Sequence, residues 1–460
     1  MYQNDTIAAV ATPAGESSVG IVRISGQDTL TVISKIFKPN RKVKQWSSYK
    51  LYYGHIHDPK SGAVIDEVLV GIMLSPKSYT REDVAEINCH GGYIALSRCL
   101  ETVLSCGIRM AEPGEFTKRA YLNGRIDLSQ AEAVADIIRS RTDRSMELAV
   151  RQLDGHLSTE INRIYRPLME VIAQIEAVID FPEDDVEEIT RHEIAEKLSI
   201  ALGIADQLLK TAERGQIIKE GLRTVILGKP NVGKSSLMNA LLKENRAIVT
   251  EIPGTTRDVI EESINLAGIP LRIVDTAGIR DTEDIVEKIG VEKAMEYSRK
   301  ADLVLLVLDD SDGISHDDRT LMDLLYNQKT LVLINKTDLS ENRILDTDIP
   351  AHLHTYGIIR ISVKESSGIE LIEKAILEMV YGGQLDLSES TMITNIRHAV
   401  LVKAAYQSIE AAIVALQAAT PVDLVVIDIW DAATRLGEIV GTQVSEEMLE
   451  EIFSRFCLGK

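Results

Sequence analysis

Up to about residue 120 the apolar positions come in short β-branched or alternating runs, TIAAVATPAG, SVGIVRISG, DEVLVGIML and EDVAEINCHGG, punctuated by glycine and proline. A period of two broken by turn residues predicts strands, and this stretch reads as strands and turns. From Asp127 onward the spacing changes, and Leu157, Ile161, Ile164, Leu168, Val171, Ile175 and Val178 recur three or four apart. That is the apolar stripe of one long helix, a core face rather than a ligand box. Pro167 inside it predicts a kink. Phe181-Pro182-Glu183-Asp184-Asp185 is an acidic stop that reads as a solvated loop. A second helical stretch, 192 to 215, leads into the apolar run Thr224-Val225-Ile226-Leu227. Helical patterning resumes over 402–416 and 423–440. The simplest architecture has helices on both sides of residues 219–381 packing together, so that the middle segment is an insertion in a helical domain, joined at two points.

The chemistry sits in that middle segment. Residues 228 to 236 read GKPNVGKSS, a G-x-x-x-x-G-K-S loop between an apolar run and a helix-like SSLMNALLK. Such a loop meets phosphate charge with backbone N–H groups at a helix N-terminus. Asn231, Val232, Gly233, Lys234, Ser235 and Ser236 are therefore candidate nucleotide contacts, with Lys234 reaching the β/γ oxygens and Ser235 offering its hydroxyl to Mg²⁺. Read alone, the string is also compatible with a glycine-bearing helix start. Three later signals decide for the nucleotide. Asp275, Thr276, Ala277 and Gly278 end another β-branched run, placing a carboxylate near a magnesium water and an amide near the γ-phosphate. Thr250, Glu251, Ile252, Pro253, Gly254, Thr255 and Thr256 form a loop whose Thr256 can complete the Mg²⁺ shell. Asn335, Lys336, Thr337 and Asp338 follow an apolar run, and the Asp338 carboxylate can accept both the N1–H and the 2-amino group of guanine. Adenine lacks both donors, and leaving a buried acceptor unpaired is a strong discriminator. Ser362, Val363 and Lys364, at the next strand end, would close over the guanine O6. Residues from about 221 to 380 thus read as a Ras-like P-loop GTPase domain with its ligand at the carboxyl ends of a parallel sheet.

One position departs from the regulatory GTPase pattern. Ile279 stands where Ras-like proteins carry the glutamine that orients the attacking water, so the water must be held from elsewhere. No arginine finger is evident in cis, although Arg257 and Arg280 are nearby. Asn231 is either a turn residue or, with the loop carbonyls of Thr250 and Ile252, part of an all-oxygen shell for a monovalent cation.

With 460 residues the chain has room for two or three domains. An apolar fraction of 45% with only 4% aromatics describes aliphatic cores. No apolar stretch is read as reaching the roughly 18 residues of a membrane span, and the start MYQNDTIAAVATPAG lacks a basic signal-peptide region. Cys89, Cys99, Cys106 and Cys457 show no C-x-x-C spacing and no paired histidines, which argues against zinc and against a disulfide framework. A reducing, cytoplasmic compartment is expected. The formal charge of −20 argues against a surface that grips nucleic acid everywhere, though not against a local basic patch. Arg23, Glu86 and the charged segment Glu115-Phe116-Thr117-Lys118-Arg119 read, one by one, as surface salt-bridge partners. The terminal FSRFCLGK reads as a frayed end carrying a packing cysteine.

Taken together, NDTIAAVATPAG, GIVRISG, EPGEFTKRAYLNGRIDLSQAEAVADII, FPEDD, GKPNVGKSSLMNALL, PGTTRD, DTAGIRDTEDIVEKIG and the terminal FCLGK resemble the MnmE (TrmE) family of tRNA-modification GTPases over essentially the whole chain. The resemblance implies an α/β and α+β multidomain protein. Its parts would be an N-terminal folate-binding and dimerisation domain of α+β type, like the glycine-cleavage T-protein (1–120), a helical domain in two parts (121–218 and 382–460) and the inserted GTPase domain (219–381). It implies that Arg23, Glu86, Arg125 and Lys460 contact a one-carbon tetrahydrofolate, 5,10-methylene or 5-formyl. The position of Arg125 is often lysine in the family. It implies that Cys457 is needed for modification, as a nucleophile or as a packing group. K⁺, held through Asn231, Thr250, Ile252 and Thr255, would supply the missing positive charge when two nucleotide domains meet, with Mg²⁺ on Ser235 and Thr256. Glu287, otherwise one exposed carboxylate among many, would position the water through a further water. The implied reaction adds an aminomethyl or carboxymethylaminomethyl group to carbon 5 of the wobble uridine of certain tRNAs. A homodimer would act with the flavoprotein MnmG (GidA) in a heterotetramer, without a membrane.

Two other function classes fit less of the chain. A ribosome-assembly or signalling GTPase commonly appends a basic RNA-binding module, and no K-homology G-x-x-G loop or arginine-rich tract follows residue 380. A dynamin-like membrane GTPase would need a basic amphipathic helix, which the acidic helices do not offer.

Overall fold

A computed structural model describes residues 5–13, 15–180, 190–244, 247–248, 262–273, 296, 298–339, 343–382 and 391–460, excepting the side chains of 178–180, 243, 244, 247, 248 and 262. They fold as two compact units, one of residues 1–135, 152–161 and 433–460, the other of residues 136–151 and 162–432.

The first unit is built on β1 (Ile7–Val10), β2 (Ser17–Ser25), α1 (Thr29–Ile36), β3 (Phe37–Pro39), β4 (Lys50–His57), β5 (Val64–Met73), β6 (Val84–Gly91), α2 (Tyr93–Leu104), β7 (Arg109–Met110) and α3 (Glu115–Leu122). Its seven strands form one sheet in the order β3-β4-β5-β6-β2-β1-β7, antiparallel except where β7 runs parallel to β1. Strand alternation puts Val68, Val70 and Ile72 of β5 and Ala85, Ile87 and Cys89 of β6 on the buried face, under Leu96, Cys99 and Val103 of α2. The runs singled out in the sequence are β1, β2, β5 and β6. The period-two reading missed α1 and α2, whose apolar residues recur at helical spacing within stretches too short to stand out from the strands around them.

Helical elements follow: α4 (Leu128–Arg139), α5 (Asp143–Leu153), α6 (His156–Asp180) and α7 (Arg191–Glu220). The predicted stripe lies on α6, where Leu157, Ile161, Ile164, Leu168, Val171 and Ile175 are all buried, and the helix runs unbroken through Pro167. The acidic stop begins where α6 ends and lies outside the described residues, as does the Val178 side chain. α7 opens on a capping box of Thr190 and Glu193 and runs five residues beyond the predicted end, to Glu220 before Gly221.

The inserted domain comprises β8 (Leu222–Leu227), α8 (Lys234–Glu244), β9 (Ala247–Ile248), β10 (Glu262–Leu266), β11 (Ile269–Ile273), β12 (Leu303–Asp309), α9 (His316–Leu324), β13 (Thr330–Asn335), β14 (Ile358–Arg360) and α10 (Ile369–Tyr381). Its sheet has the order β14-β13-β12-β8-β11-β10-β9, parallel from β14 to β11 and antiparallel at β10 and β9. β12 and β13 are buried at every position, as strands covered on both faces must be. The strand order reverses on either side of β8, which makes the carboxyl ends of β8 and β12 the place where a doubly wound sheet opens a crevice.

The chain then returns to helix in α11 (Ile396–Gln417), α12 (Val422–Val440) and α13 (Glu446–Ser454). Within the second unit α11 packs on α7, and the Ile393 N–H donates to Thr211 Oγ1 at 3.1 Å just before α11 begins. Helices from before and after the G domain therefore meet, and the insertion reading holds. One expectation needs correction. α11 is long and apolar enough, with mean hydropathy 1.5 over its best window, to pass as a membrane span by length and composition. Leu401, Val402, Ala405, Ile409, Ala412 and Leu416 are buried along one side of it, a third of that window in all, while Ile396, Val400 and Val414 are exposed. The compact units also cut across the segments read from sequence, since α13 and the FCLGK end belong with the N-terminal sheet.

Candidate functional site

The phosphate loop joins β8 to α8, as its flanking pattern required. Asn231 adopts the left-handed conformation at φ 62° and is exposed. Gly233 has φ +101°, and a side chain there would meet the Asn335 amide at 2.4 Å, which is why the motif needs glycine at this point. The Lys234 ammonium donates to the Gly228 carbonyl at 2.8 Å and the Lys229 carbonyl at 2.6 Å, folding the loop round itself. Burial pulls its pKa below the usual lysine value. Ser235 and Ser236 are exposed in the first turn of α8, where orphan N–H groups and the helix dipole favour an anion.

Asn335 locks three segments together. At the end of β13 and buried, it donates through Nδ2 to the Val232 carbonyl at 2.8 Å and accepts from the Val363 N–H at 3.2 Å. Lys336, at φ 65°, pairs with Asp309 at 2.6 Å. Burial works against the Asp309 charge, but the Lys336 partner and the Ser311 donors hold its pKa below the usual carboxylate range. Thr337 Oγ1 donates to the Ile361 carbonyl at 3.0 Å. Asp338 accepts from Ser362 Oγ at 2.7 Å, and the exposed Lys364 lies 4.0 Å away. The described residues thus place the phosphate loop, the asparagine–lysine–threonine–aspartate segment and the Ser362–Lys364 turn at one end of one sheet. Thr250, Glu251, Ile252, Pro253, Gly254, Thr255, Thr256, Asp275, Thr276, Ala277, Gly278, Ile279 and Glu287 lie outside the described residues.

A second constellation forms in the first unit. Arg23 on β2 donates through Nε to Glu86 Oε1 on β6 at 2.9 Å, because β2 and β6 pair with those two residues in register. Its Nη1 donates to the Gly459 carbonyl at 3.1 Å. The guanidinium lies over the rings of Tyr79 and Phe116 at 5.8 and 5.6 Å, and that of Arg125 over Tyr79 at 4.7 Å. The Phe116 N–H donates to the Lys460 main-chain oxygen at 3.2 Å. Gly459, at φ +85°, allows this approach, since a side chain would stand 2.2 Å from the Val10 carbonyl. Arg23, Glu86, Arg125 and Lys460 are therefore neighbours, and the end of the chain is pinned rather than frayed. Cys457 is exposed beside them, its carbonyl accepting from the Gly114 N–H at 3.4 Å. Sequence reading missed Tyr79 and Phe116, the aromatic surfaces of the cluster. A glycine- and proline-rich setting gave no periodicity that could reveal them.

The surface reading of the Glu115–Arg119 segment is overturned. That segment is helix α3, and Arg119 is 1% exposed. It donates to Asp5 at 2.7 Å, Glu115 at 2.9 Å and Glu82 at 3.2 Å, while Arg109 bridges Asp5 and Glu115. Arg109, then Arg119, hold the Asp5 carboxyl below its ordinary value. Burial pushes the other way at Glu115, yet Arg109, the Glu112 N–H and Arg119 prevail and hold it low as well.

A profile of the MnmE helical domain matches residues 128–457, and one of the GTP-binding protein TrmE N-terminus matches residues 6–125. The chain belongs to the MnmE family. Among curated relatives named tRNA modification GTPase MnmE, that of Geobacillus thermodenitrificans is 49% identical over 464 residues, and that of Alkaliphilus oremlandii 50% identical over 462, each alignment covering 100% of both chains. Two similar solved structures each cover part of the chain. The FeoB G domain of Methanococcus jannaschii covers 35% of this chain and 97% of its own at 24% identity, with a TM-score of 0.24. Aquifex aeolicus Era bound to GDP·AlF₄⁻ covers 41% and 66% at 23% identity, with a TM-score of 0.26. As an MnmE-family GTPase the chain takes GTP with Mg²⁺, and the cradle at β8–α8 has the donors to fit them.

A cleft of about 530 Å³ opens in the second unit at the amino ends of β8, β12, β13 and β14, at the other end of the strands from the phosphate loop. Its Arg223 pairs with Asp302 at 2.9 Å and its Lys329 with Glu213 at 2.7 Å.

Proposed function

We propose that this chain hydrolyses GTP in the service of tRNA modification, adding an aminomethyl or carboxymethylaminomethyl group to carbon 5 of a wobble uridine with a carbon from a one-carbon tetrahydrofolate. It would do so in the cytoplasm as a homodimer, with the flavoprotein MnmG supplying FAD and redox power. The observation that supports this reading best is the meeting of Arg23, Glu86, Arg125 and the Gly459–Lys460 terminus around Tyr79 and Phe116. Two ring faces suit a flat heterocycle, a carboxylate suits the donor edge of a pterin, and guanidinium groups suit glutamyl carboxylates. A ribosome-assembly or signalling GTPase would have no use for such a cluster. Homodimer formation draws support from β4 and β5, whose cross-strand neighbours Tyr53 and Leu69, with Leu51, leave an exposed apolar face.

In the G domain, Asp338 would read guanine while Ser362 holds its carboxylate in place. Lys234 would turn from its loop carbonyls to the β/γ oxygens, and Ser235 with Thr256 would meet Mg²⁺. Asn231, Thr250, Ile252 and Thr255 are the proposed K⁺ ligands. Glu287 would place the water that Ile279 cannot. GTP hydrolysis would drive the conformational cycle, and Cys457, exposed beside the folate residues, would serve the transfer of the carbon. The test is mass analysis of wobble uridine in cells lacking this chain, complemented with the native protein or with Glu86→Ala. Loss of the modified nucleoside, restored by the native protein only, is expected. Unchanged nucleosides in the deletion strain would end the proposal.

A further inference from the structure

Asp66 stands at the core-facing edge of β5, in line with Val68, Val70 and Ile72. Cys89 occupies the buried face of the adjacent β6, and Cys99, fully buried, hangs from α2 above it. The two sulfurs and a carboxylate oxygen of Asp66 all lie within 4.8 Å of one another. Two thiols in a core are ordinary apolar packing. The part-buried Asp66, which also accepts from the Glu67 N–H at 2.9 Å, adds an oxygen ligand atom beside the two sulfurs at the edge of the core. Asp66 is held there by His90, whose N–H donates to Oδ2 at 2.8 Å and whose Nδ1 lies 2.7 Å from Oδ1. This is the outer hydrogen bond by which proteins orient a ligating carboxylate.

We propose that Asp66, Cys89 and Cys99 bind a divalent metal ion, Zn²⁺ by preference, with His90 as the positioning residue. Two sulfurs and one oxygen select a borderline-soft ion over Mg²⁺ or Ca²⁺, which demand oxygen shells. Tetrahedral zinc, with bonds of about 2.3 Å to sulfur and about 2.0–2.2 Å to oxygen, needs neighbouring ligand atoms roughly 3.5–3.8 Å apart. The observed spacing therefore requires a contraction of about 1.0–1.3 Å at most. Binding would release both thiol protons to solvent, including the one Cys89 directs at the Gly20 carbonyl at 3.3 Å. The ion would tie β5, β6 and α2 together. Sequence spacing concealed the site because its ligands come from three elements with no pair at C-x-x-C distance.

The full-length reduced protein, stripped of metal, is titrated with Co²⁺ and then with Zn²⁺. One equivalent of Co²⁺ should raise a near-ultraviolet thiolate-to-cobalt band and tetrahedral visible bands, both erased by Zn²⁺. Cys89→Ser with Cys99→Ser should abolish the bands, whereas Cys106→Ser with Cys457→Ser should retain them. Should the first pair fail to fold, Asp66→Asn keeps the question open to test, with an expected affinity loss of about 10-fold or more, and His90→Ala should lose about 10–100-fold. No thiolate band in the native protein, a band surviving loss of Cys89 and Cys99, or unchanged affinity in Asp66→Asn would each overturn the assignment.

Discussion

The phosphate-loop end of the second unit and the Arg23–Glu86 cluster of the first bring charged groups together by opposite routes. The former uses contiguous strings at the ends of β8, β13 and β14: the 228–236 loop, the 335–338 segment and the 362–364 turn arrive at one place because a parallel sheet points all its carboxyl ends the same way. The latter uses residues 23, 79, 86, 116, 125 and 459–460, united by antiparallel register and by the return of the chain end. A site of the first kind can be read from spacing. A site of the second kind is invisible to spacing, and only resemblance to a family points to it.

The two units also differ in how they carry charge. Lys234 is satisfied by loop carbonyls, whereas Arg119 is buried among three carboxylates. Replacing Arg119 by Met, of similar reach but uncharged, leaves Asp5, Glu82 and Glu115 without their common partner. Breaking a buried ion cluster in this way costs about 3–5 kcal/mol. The two tryptophans separate the units, Trp46 in the first and Trp430 in the second. In single-tryptophan versions, urea unfolding followed at Trp46 should shift by that amount while the Trp430 transition stays within about 0.5 kcal/mol, the additivity limit for distant sites. Equal shifts in both would show that the units unfold as one and that the contrast fails.

On the nucleotide side, Asp338→Asn tests whether the buried carboxylate reads the base. Two lost or mismatched hydrogen bonds at about 1–3 kcal/mol each predict a fall in GTP affinity of roughly 10²-fold or more, with xanthosine triphosphate now accepted. An unchanged preference in competition binding would reject the assignment. Glu287→Ala addresses the chemistry itself: kcat should fall on the order of 10²-fold, as loss of a water-positioning group does, with GTP affinity almost unchanged. Wild-type single-turnover rates, or a collapse of binding, would remove Glu287 from the mechanism. Potassium comes next, because Ile279 offers no hydrogen bond and Asn231 holds a left-handed turn at the loop. Turnover in KCl should exceed that in NaCl at matched ionic strength by at least about tenfold, against the roughly 10³–10⁵ that a full arginine finger supplies. Equal rates would leave Asn231 a turn residue.

How far the sequence could be read follows the same division. The α6 stripe, the β8–α8 motif and the insertion of the G domain between helices were legible because each rests on local periodicity or a contiguous string. α1 and α2 were missed where helical spacing is short and embedded among strands. Arg119 was misjudged because an arginine preceded by Thr117 and Lys118 looks exposed until Glu82 and Asp5, 37 and 114 residues away, are placed around it. The apolar length of α11 was overlooked because Arg397, Lys403 and Glu410 break its run into shorter pieces.

The smallest expected effect is acid sensitivity, and it sharpens the comparison because both units carry a depressed carboxylate. In the first unit the pKa values of Asp5 and Glu115 are lowered, Asp5 chiefly by Arg109, and Glu115 by Arg109 and Arg119 against the opposing effect of burial. A carboxylate with a folded pKa below its unfolded value contributes stability that is complete above the unfolded value, near 4, and is lost as pH falls through the folded one. The Asp5 and Glu115 contribution to the Trp46 transition should therefore be constant from pH 7 to about 5 and fall below about 4. Asp309, lowered against burial by its pairing with Lys336 and by the Ser311 donors, gives the Trp430 transition a slope of the same sign. Arg109→Gln separates them. It removes the largest cause at Asp5 and the largest favourable one at Glu115, so the acid slope at Trp46 should flatten while that at Trp430 persists. An undiminished slope at Trp46 would place the acid sensitivity of the first unit outside this cluster.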